Sequence, residues 1–213
     1  MNPVLSYLFF IFCRFFFKIY CPLRVQGKDN LPSTSFIMCS NHCSHMDTPA
    51  LMMATGLSFN MFGMIAAKDY FFKTTQRKSI ASLFMNLIPI NRKCTKTTFL
   101  QDIALCKTFI NSRKGNLIIY PEGTRSLTGE IHTFKRGSAM IATELKIPIV
   151  PVYINGTYQS LCKGKNFPRR SQITITIGNP IYFDTDTSNQ SVCSKKLTAL
   201  LESKIKELKE KTV

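Results

Sequence analysis

Two of the chain's three histidines and one aspartate fall within the stretch Ser40-Asn41-His42-Cys43-Ser44-His45-Met46-Asp47-Thr48-Pro49. A carboxylate that accepts from one ring nitrogen of a histidine fixes its tautomer, and the other nitrogen can then take a proton from an alcohol or thiol. His42 and Asp47 are the candidate pair. On a regular helix, side chains five residues apart point about 140° away from each other, so these two meet only if a turn lies between them. A loop entering a helix supplies that turn. Pro49 suits the first helical turn, Ala50-Leu51-Met52-Met53 continues it, and Asp47 or Thr48 is placed to cap it. Capping alone would also account for Asp47.

The surrounding pattern tells which elements must hold this stretch. Short apolar runs at 35–39, 61–66, 87–90, 116–120, 149–154 and 173–177 predict strands. Most are unbroken, as in strands buried on both faces of a sheet. Phe99, Leu100, Ile103, Cys106 and Ile110 predict a crossover helix over 97–112, with Lys114-Gly115 as its stop. Leu197, Leu200, Leu201, Ile205 and Leu208 mark one face of a closing helix over 192–211, with Glu202/Lys206 and Glu207/Lys211 as i,i+4 pairs. The reading is α/β: a single domain with a mixed, mostly parallel sheet covered by helices. The histidines then sit at the C-terminal end of the first strand recognised, where α/β active sites gather.

A length of 213 residues suits one domain with a short appendage, and 45% hydrophobic residues including 17 Phe exclude a disordered chain. Lys and Arg number 28 against 12 Asp and Glu, a net charge of +16. Most of the excess lies in residues 68–170, which hold 18 Lys or Arg and 5 Asp or Glu. An anionic partner is implied: nucleic acid, a phospholipid surface or a phosphorylated substrate. The 8 Cys form no CxxC pair and no regular framework, which suits reduced thiols rather than a disulfide scaffold.

Residues 3–20, PVLSYLFFIFCRFFFKIY, are apolar except for Arg14 and Lys18. A secretory signal carries its charge before the apolar stretch, whereas here the charges come late and Tyr20-Cys21-Pro22 is a poor cleavage site. A spanning helix needs about 20 mostly apolar residues. With Arg14 in the second half, the expectation is an interfacial membrane helix over 1–21, Arg14 and Lys18 snorkelling, followed by the folded domain at 22–213.

Asn41-His42-Cys43-Ser44-His45-Met46-Asp47 resembles the Asn-His-x-Ser-x-x-Asp motif of the lysophosphatidic acid acyltransferase family of glycerophospholipid acyltransferases. Tyr120-Pro121-Glu122-Gly123-Thr124-Arg125-Ser126 is similar to that family's Phe-Pro-Glu-Gly-Thr-Arg-Ser motif, with Tyr replacing the first Phe, and Phe134-Lys135-Arg136-Gly137 matches its usual continuation. Leu87-Ile88-Pro89-Ile90-Asn91-Arg92 resembles the motif that ends in Arg, with Met85-Asn86 where a Gly is usual. Ile147-Pro148-Ile149-Val150-Pro151-Val152 is similar to the apolar motif around a Pro. The resemblance covers roughly residues 22–185, in the expected order.

It implies acyl transfer from acyl-CoA or acyl-carrier protein to the sn-2 hydroxyl of 1-acyl-glycerol 3-phosphate, giving phosphatidic acid. His42 would be the general base and Asp47 its orienting partner, with Asn41 and Ser44 supporting the motif. Arg125 would be the first phosphate ligand, joined by Arg92, Gly123, Thr124 and Lys68, and Glu122 would orient Arg125 or the acceptor's glycerol. No cofactor and no metal is implied. The expected partners are a phospholipid membrane, a lysophospholipid acceptor and a thioester donor, at the cytoplasmic face. Another lysophospholipid or lyso-aminolipid headgroup is the alternative acceptor.

Two rivals come from the residues themselves. Cys39, His42, Cys43 and His45 have zinc-ligand chemistry, but structural zinc sites usually draw ligand pairs from separate segments. The charge, with Lys163, Lys165, Arg169 and Arg170 close together, allows a non-catalytic basic module for lipid or nucleic acid. No nucleic-acid-binding motif accompanies the cluster, so nucleic acid is not an expected partner.

Overall fold

The structure, a computed structural model, describes residues 2–71, 84–91, 95–183 and 190–212. Its centre is a seven-stranded sheet in the order β1-β7-β6-β2-β5-β3-β4. The strands are β1 (Leu23–Gln26), β2 (Ile37–Ser40), β3 (Phe62–Ala67), β4 (Asn86–Ile90), β5 (Asn116–Ile119), β6 (Ile149–Asn155) and β7 (Ile173–Ile177). β6, β2, β5, β3 and β4 run parallel, while β7 lies antiparallel to β6 and carries β1 parallel to itself. The mixed, mostly parallel sheet is as expected. β1 is the strand the sequence did not signal: Leu-Arg-Val-Gln at a sheet edge half-buries only alternate residues.

The continuous apolar strands divide their side chains between two cores. Phe36, Met38, Ile118, Val150, Val152 and Ile154 face helices α1 (Pro3–Phe15) and α2 (Asp47–Thr55). Ile37, Cys39, Leu117, Ile119, Ile149 and Tyr153 face the other way, toward α4 (Lys96–Arg113), α5 (Gly137–Leu145) and α7 (Gln190–Thr212). Two shorter helices, α3 (Lys68–Phe71) and α6 (Thr157–Leu161), follow β3 and β6. Burial on both faces is why these strands carry no polar alternation.

Local chemistry sets the helix ends. Asn2 Oδ1 accepts from Val4 N and Leu5 N at 3.0 and 3.2 Å to start α1. Thr95 and Thr98 close a reciprocal capping box on α4. At the far end of α4 the left-handed residue is Lys114, at φ 47°, rather than Gly115. Gly115 answers a different need: a Cβ there would fall 2.6 Å from Phe109 Cε1. On α7, Lys206 meets Glu202 at 2.7 Å as expected, but Glu207 pairs with Lys204 at 3.0 Å rather than with Lys211.

The segment at 2–21 packs onto the domain. α1 continues into a π-helical turn, Phe16–Tyr20, and Cys13, Phe17 and Cys21 join the same core as β2 and α2. Phe10 meets Phe59 edge-on at 5.4 Å. The opposite face, with Val4, Leu8, Phe12, Phe15 and Ile19, is exposed, and Arg14 and Lys18 are exposed beside it. Pro3–Tyr20 is long and apolar enough to cross a membrane, by length and composition alone.

One side chain carries the strand pairing beyond the end of β2. Asn41 Nδ2 donates to Ile154 O at 2.9 Å, and Ile154 N donates to Asn41 Oδ1 at 2.8 Å, so a buried amide replaces a ladder rung. Asn41→Ala would strand both backbone groups of Ile154 and should cost about 2–4 kcal/mol, read as a lowered urea midpoint with the slope unchanged.

Candidate active site

The parallel strands β2, β5, β3 and β4 all end on one edge, and the segments leaving them hold the candidate residues. β2 and β5 are neighbours, so the His42 loop and the Tyr120–Ser126 segment lie side by side.

Asp47 is the first residue of α2, but its carboxylate turns back into the loop instead of capping the helix. Oδ2 accepts from His42 Nδ1 at 2.8 Å, from Cys43 N at 2.8 Å and from Ser44 N at 2.9 Å. The turn demanded by the five-residue spacing is formed at residues 44–47, where Asp47 N donates to Ser44 O. Asp47 is wholly buried, whereas the His42 side chain keeps 18% of its surface open. Asp47 Oδ1 has no hydrogen-bond partner among the described residues. This bonding selects the Nδ1–H tautomer and turns Nε2 into the proton acceptor. Ser44 is buried, with Oγ accepting from Met46 N at 3.1 Å, so it braces the turn.

Glu122 joins the two segments. Its Oε1 accepts from His42 N at 2.8 Å and its Oε2 from His132 N at 3.1 Å. Burial pushes its carboxyl above the usual carboxylate range, against the pull of those two amides. Ser126 N donates to His42 O at 2.7 Å and ties the far side of the segment to the same loop. Arg125, next to Ser126, is half-buried, and Thr124 is exposed. Gly123 is left-handed at φ 72°, and a Cβ there would meet Lys135 Nζ at 2.8 Å. Glycine thus lets a second cation lie over this turn.

Lys68 is exposed at the end of β3, on the same edge. Arg92 lies outside the described residues. Its predecessor Asn91 is anchored, since N and Nδ2 donate to the buried Asp102 carboxylate at 3.0 and 3.1 Å. Cys39 is core, and burial beside Asp47 and Glu122 pushes the Cys43 thiol up to about 12. Among the described residues, no three His, Cys, Asp or Glu side chains converge as a metal site would require.

Sequence reasoning missed Lys135, Asp102 and the role of Tyr120. The Tyr120 ring stacks on His42 with centroids 3.8 Å apart and planes 9° apart, and its hydroxyl is paired with Thr48 Oγ1 at 2.8 Å. The stacked ring holds the plane of the imidazole. The replacement of Phe by Tyr in the motif was the only signal.

A mostly parallel sheet with a carboxylate-oriented histidine at its C-terminal edge defines an α/β protein with a candidate general base where α/β active sites gather. The family model described as Acyltransferase matches residues 22–155. The chain belongs to the Acyltransferase family. It is 29% identical over 167 residues to the chloroplastic 1-acyl-sn-glycerol-3-phosphate acyltransferase LPAT1 of Arabidopsis thaliana, covering 77% of this chain and 42% of that protein. Against the Saccharomyces cerevisiae 1-acyl-sn-glycerol-3-phosphate acyltransferase it is 28% identical over 179 residues, 79% of this chain and 54% of that one. The crystal structure of the 1-acyl-sn-glycerophosphate acyltransferase PlsC from Thermotoga maritima is similar at TM-score 0.69 and 26% identity, covering 97% of this chain and 80% of that chain. The chain spans about half the length of the curated relatives it matches.

Replacing the stacked ring should separate its two contacts. Tyr120→Phe keeps the platform and should leave kcat nearly unchanged. Tyr120→Leu lets the imidazole tilt and should lower kcat about tenfold or more with little change in KM, measured at saturating acceptor.

Proposed function

We propose that this protein transfers an acyl group from acyl-CoA or acyl-carrier protein to the sn-2 hydroxyl of 1-acyl-glycerol 3-phosphate, giving phosphatidic acid. The observation that carries the reading is the His42–Asp47 pair at 2.8 Å, with Nε2 as the nitrogen Asp47 does not occupy. Nε2 takes the proton as the hydroxyl oxygen attacks the thioester carbonyl. A C–O bond forms, the C–S bond breaks, and the imidazolium returns the proton to the departing thiolate. Asp47 keeps the tautomer and stabilises the transient imidazolium. No covalent enzyme intermediate and no cofactor enters the scheme.

The acceptor assignment is supported by the similar proteins named above, all 1-acyl-sn-glycerol-3-phosphate acyltransferases. Arg125, Gly123 and Thr124, with Lys68 after β3 and the Arg92 of the motif, supply the cations and amides for the acceptor's phosphate. Glu122 contributes by fixing the loop that carries His42. The exposed apolar face of α1 would rest on the cytoplasmic surface of a phospholipid membrane, where both lipid substrates reside.

The test is transfer of labelled acyl chains from each donor to a panel of lysophospholipids. Phosphatidic acid should form, and His42→Ala should abolish it without releasing the protein from lipid; retained turnover would overturn the assignment. Product with another headgroup alone would keep the chemistry and move the acceptor. Asp47→Asn should lower kcat by about a thousandfold or more while the fold survives. Arg125→Ala should raise KM for the phosphorylated acceptor and spare KM for the donor; the opposite split would overturn its role.

A further inference from the structure

The loop at 162–170 lies between α6 and β7, and its tip is exposed. Lys163, Lys165, Arg169 and Arg170 are exposed cations, and between them Phe167 stands 85% open. An aromatic ring that open gains nothing from the fold. No Asp or Glu occurs from residue 145 to residue 183, so the cluster has no acidic neighbour in its own segment.

The base of the loop is held firmly. Arg169 N donates to Ser160 O at 2.8 Å, and Ser160 Oγ donates to Arg169 O at 2.7 Å. Tyr20 Oη donates to Pro168 O at 3.1 Å, and Cys21 Sγ donates to Arg169 O at 3.5 Å. Those last two contacts join the loop to the end of the π-helical turn that follows α1. The exposed apolar stripe of α1, ending at Ile19 and the 41% exposed Tyr20, is therefore continuous with the loop carrying Phe167. Arg14 and Lys18 lie along that stripe, and residues 1–28 contain no Asp or Glu.

We propose that the loop at 162–170 is a second membrane contact, selective for anionic bilayers, in which Phe167 inserts among acyl chains while Lys163, Lys165, Arg169 and Arg170 sit at the headgroup phosphates. The occupant is a lipid surface because the ring and the cations are displayed together and run into an apolar helix face. An acidic protein or a nucleic acid would use the charges alone. The geometry also gives the contact a purpose. β6 ends and β7 begins on the edge that holds His42, so this loop springs from the same edge. Docking through α1 alone fixes one line of contact and leaves rotation about the helix axis free. A second contact beyond the end of α1 fixes that rotation and holds the catalytic edge at the lipid surface.

This inference rests on the membrane association proposed above, and the experiment separates the two. The full chain is sedimented with vesicles of phosphatidylcholine alone and of phosphatidylcholine mixed with phosphatidylglycerol, at low and high salt. Tighter binding to the mixed vesicles, weakened by salt, is expected. Replacing the four cations (Lys163→Gln, Lys165→Gln, Arg169→Gln and Arg170→Gln together) should weaken mixed-vesicle binding about tenfold or more and leave neutral-vesicle binding through α1 in place. Phe167→Ser should weaken both modestly, and each variant should keep wild-type turnover on a short-chain, water-soluble acceptor. Equal binding of wild type and four-cation variant to mixed vesicles would overturn the inference and keep the α1 contact. If the wild type binds neither vesicle, both readings fall. A four-cation variant that binds vesicles normally but loses turnover only with acyl-carrier protein as donor would assign the cluster to a protein partner instead.

Discussion

The geometry of the candidate site hangs on one oxygen atom. Asp47 Oδ2 gathers the His42 ring and the amides of Cys43 and Ser44. A carboxylate buried this completely is costly unless its charge is met by donors. Here the donors are the chain that must be bent. Three hydrogen bonds and the N-terminal dipole of α2 stabilise the anion, and in return they fold residues 42–47 into the turn that brings side chains five positions apart into contact. The geometry of the candidate pair and the local folding are thus one interaction. Weakening the carboxylate loosens the loop as well as the base.

Glu122 does at the next strand what Asp47 does at the first. Its two oxygens are spent on backbone amides, one from His42 and one from His132. Engaged in this way, it clamps the β2 and β5 loops together. The cost of burial is visible in the raised carboxyl pKa. Ionised Glu122 therefore opposes folding slightly at neutral pH, and that penalty disappears as the pH falls below its unfolded value.

Much of this was legible because physics leaves its mark on residue types. Strands buried on both faces must be apolar throughout, so β2, β3, β5 and β6 were readable to within a residue or two. β1 was not, because an edge strand needs only Leu23 and Val25 inside. The His42–Asp47 contact was legible as a geometric condition, a turn between them. That the carboxylate would turn backward rather than cap α2 was not, since a first-turn aspartate satisfies both descriptions. Asn41 was read as motif support, but its pairing with Ile154 across 113 positions leaves no local trace. The stacking of Tyr120 on His42 is equally non-local, for it depends on β5 lying beside β2.

The charge distribution follows from the same edge. Lys68 and Arg125 lie where strands end, and Lys135 reaches over Gly123 only because glycine leaves room. Mutual repulsion among such cations is tolerable where they are spread over separate loops and open to solvent, which screens them. The buried interior of the edge carries the opposite sign, Asp47 and Glu122, each covered by backbone amides. A negative floor thus lies beneath a positive rim. That polarity is set by which residues are buried, and burial is set by the sheet.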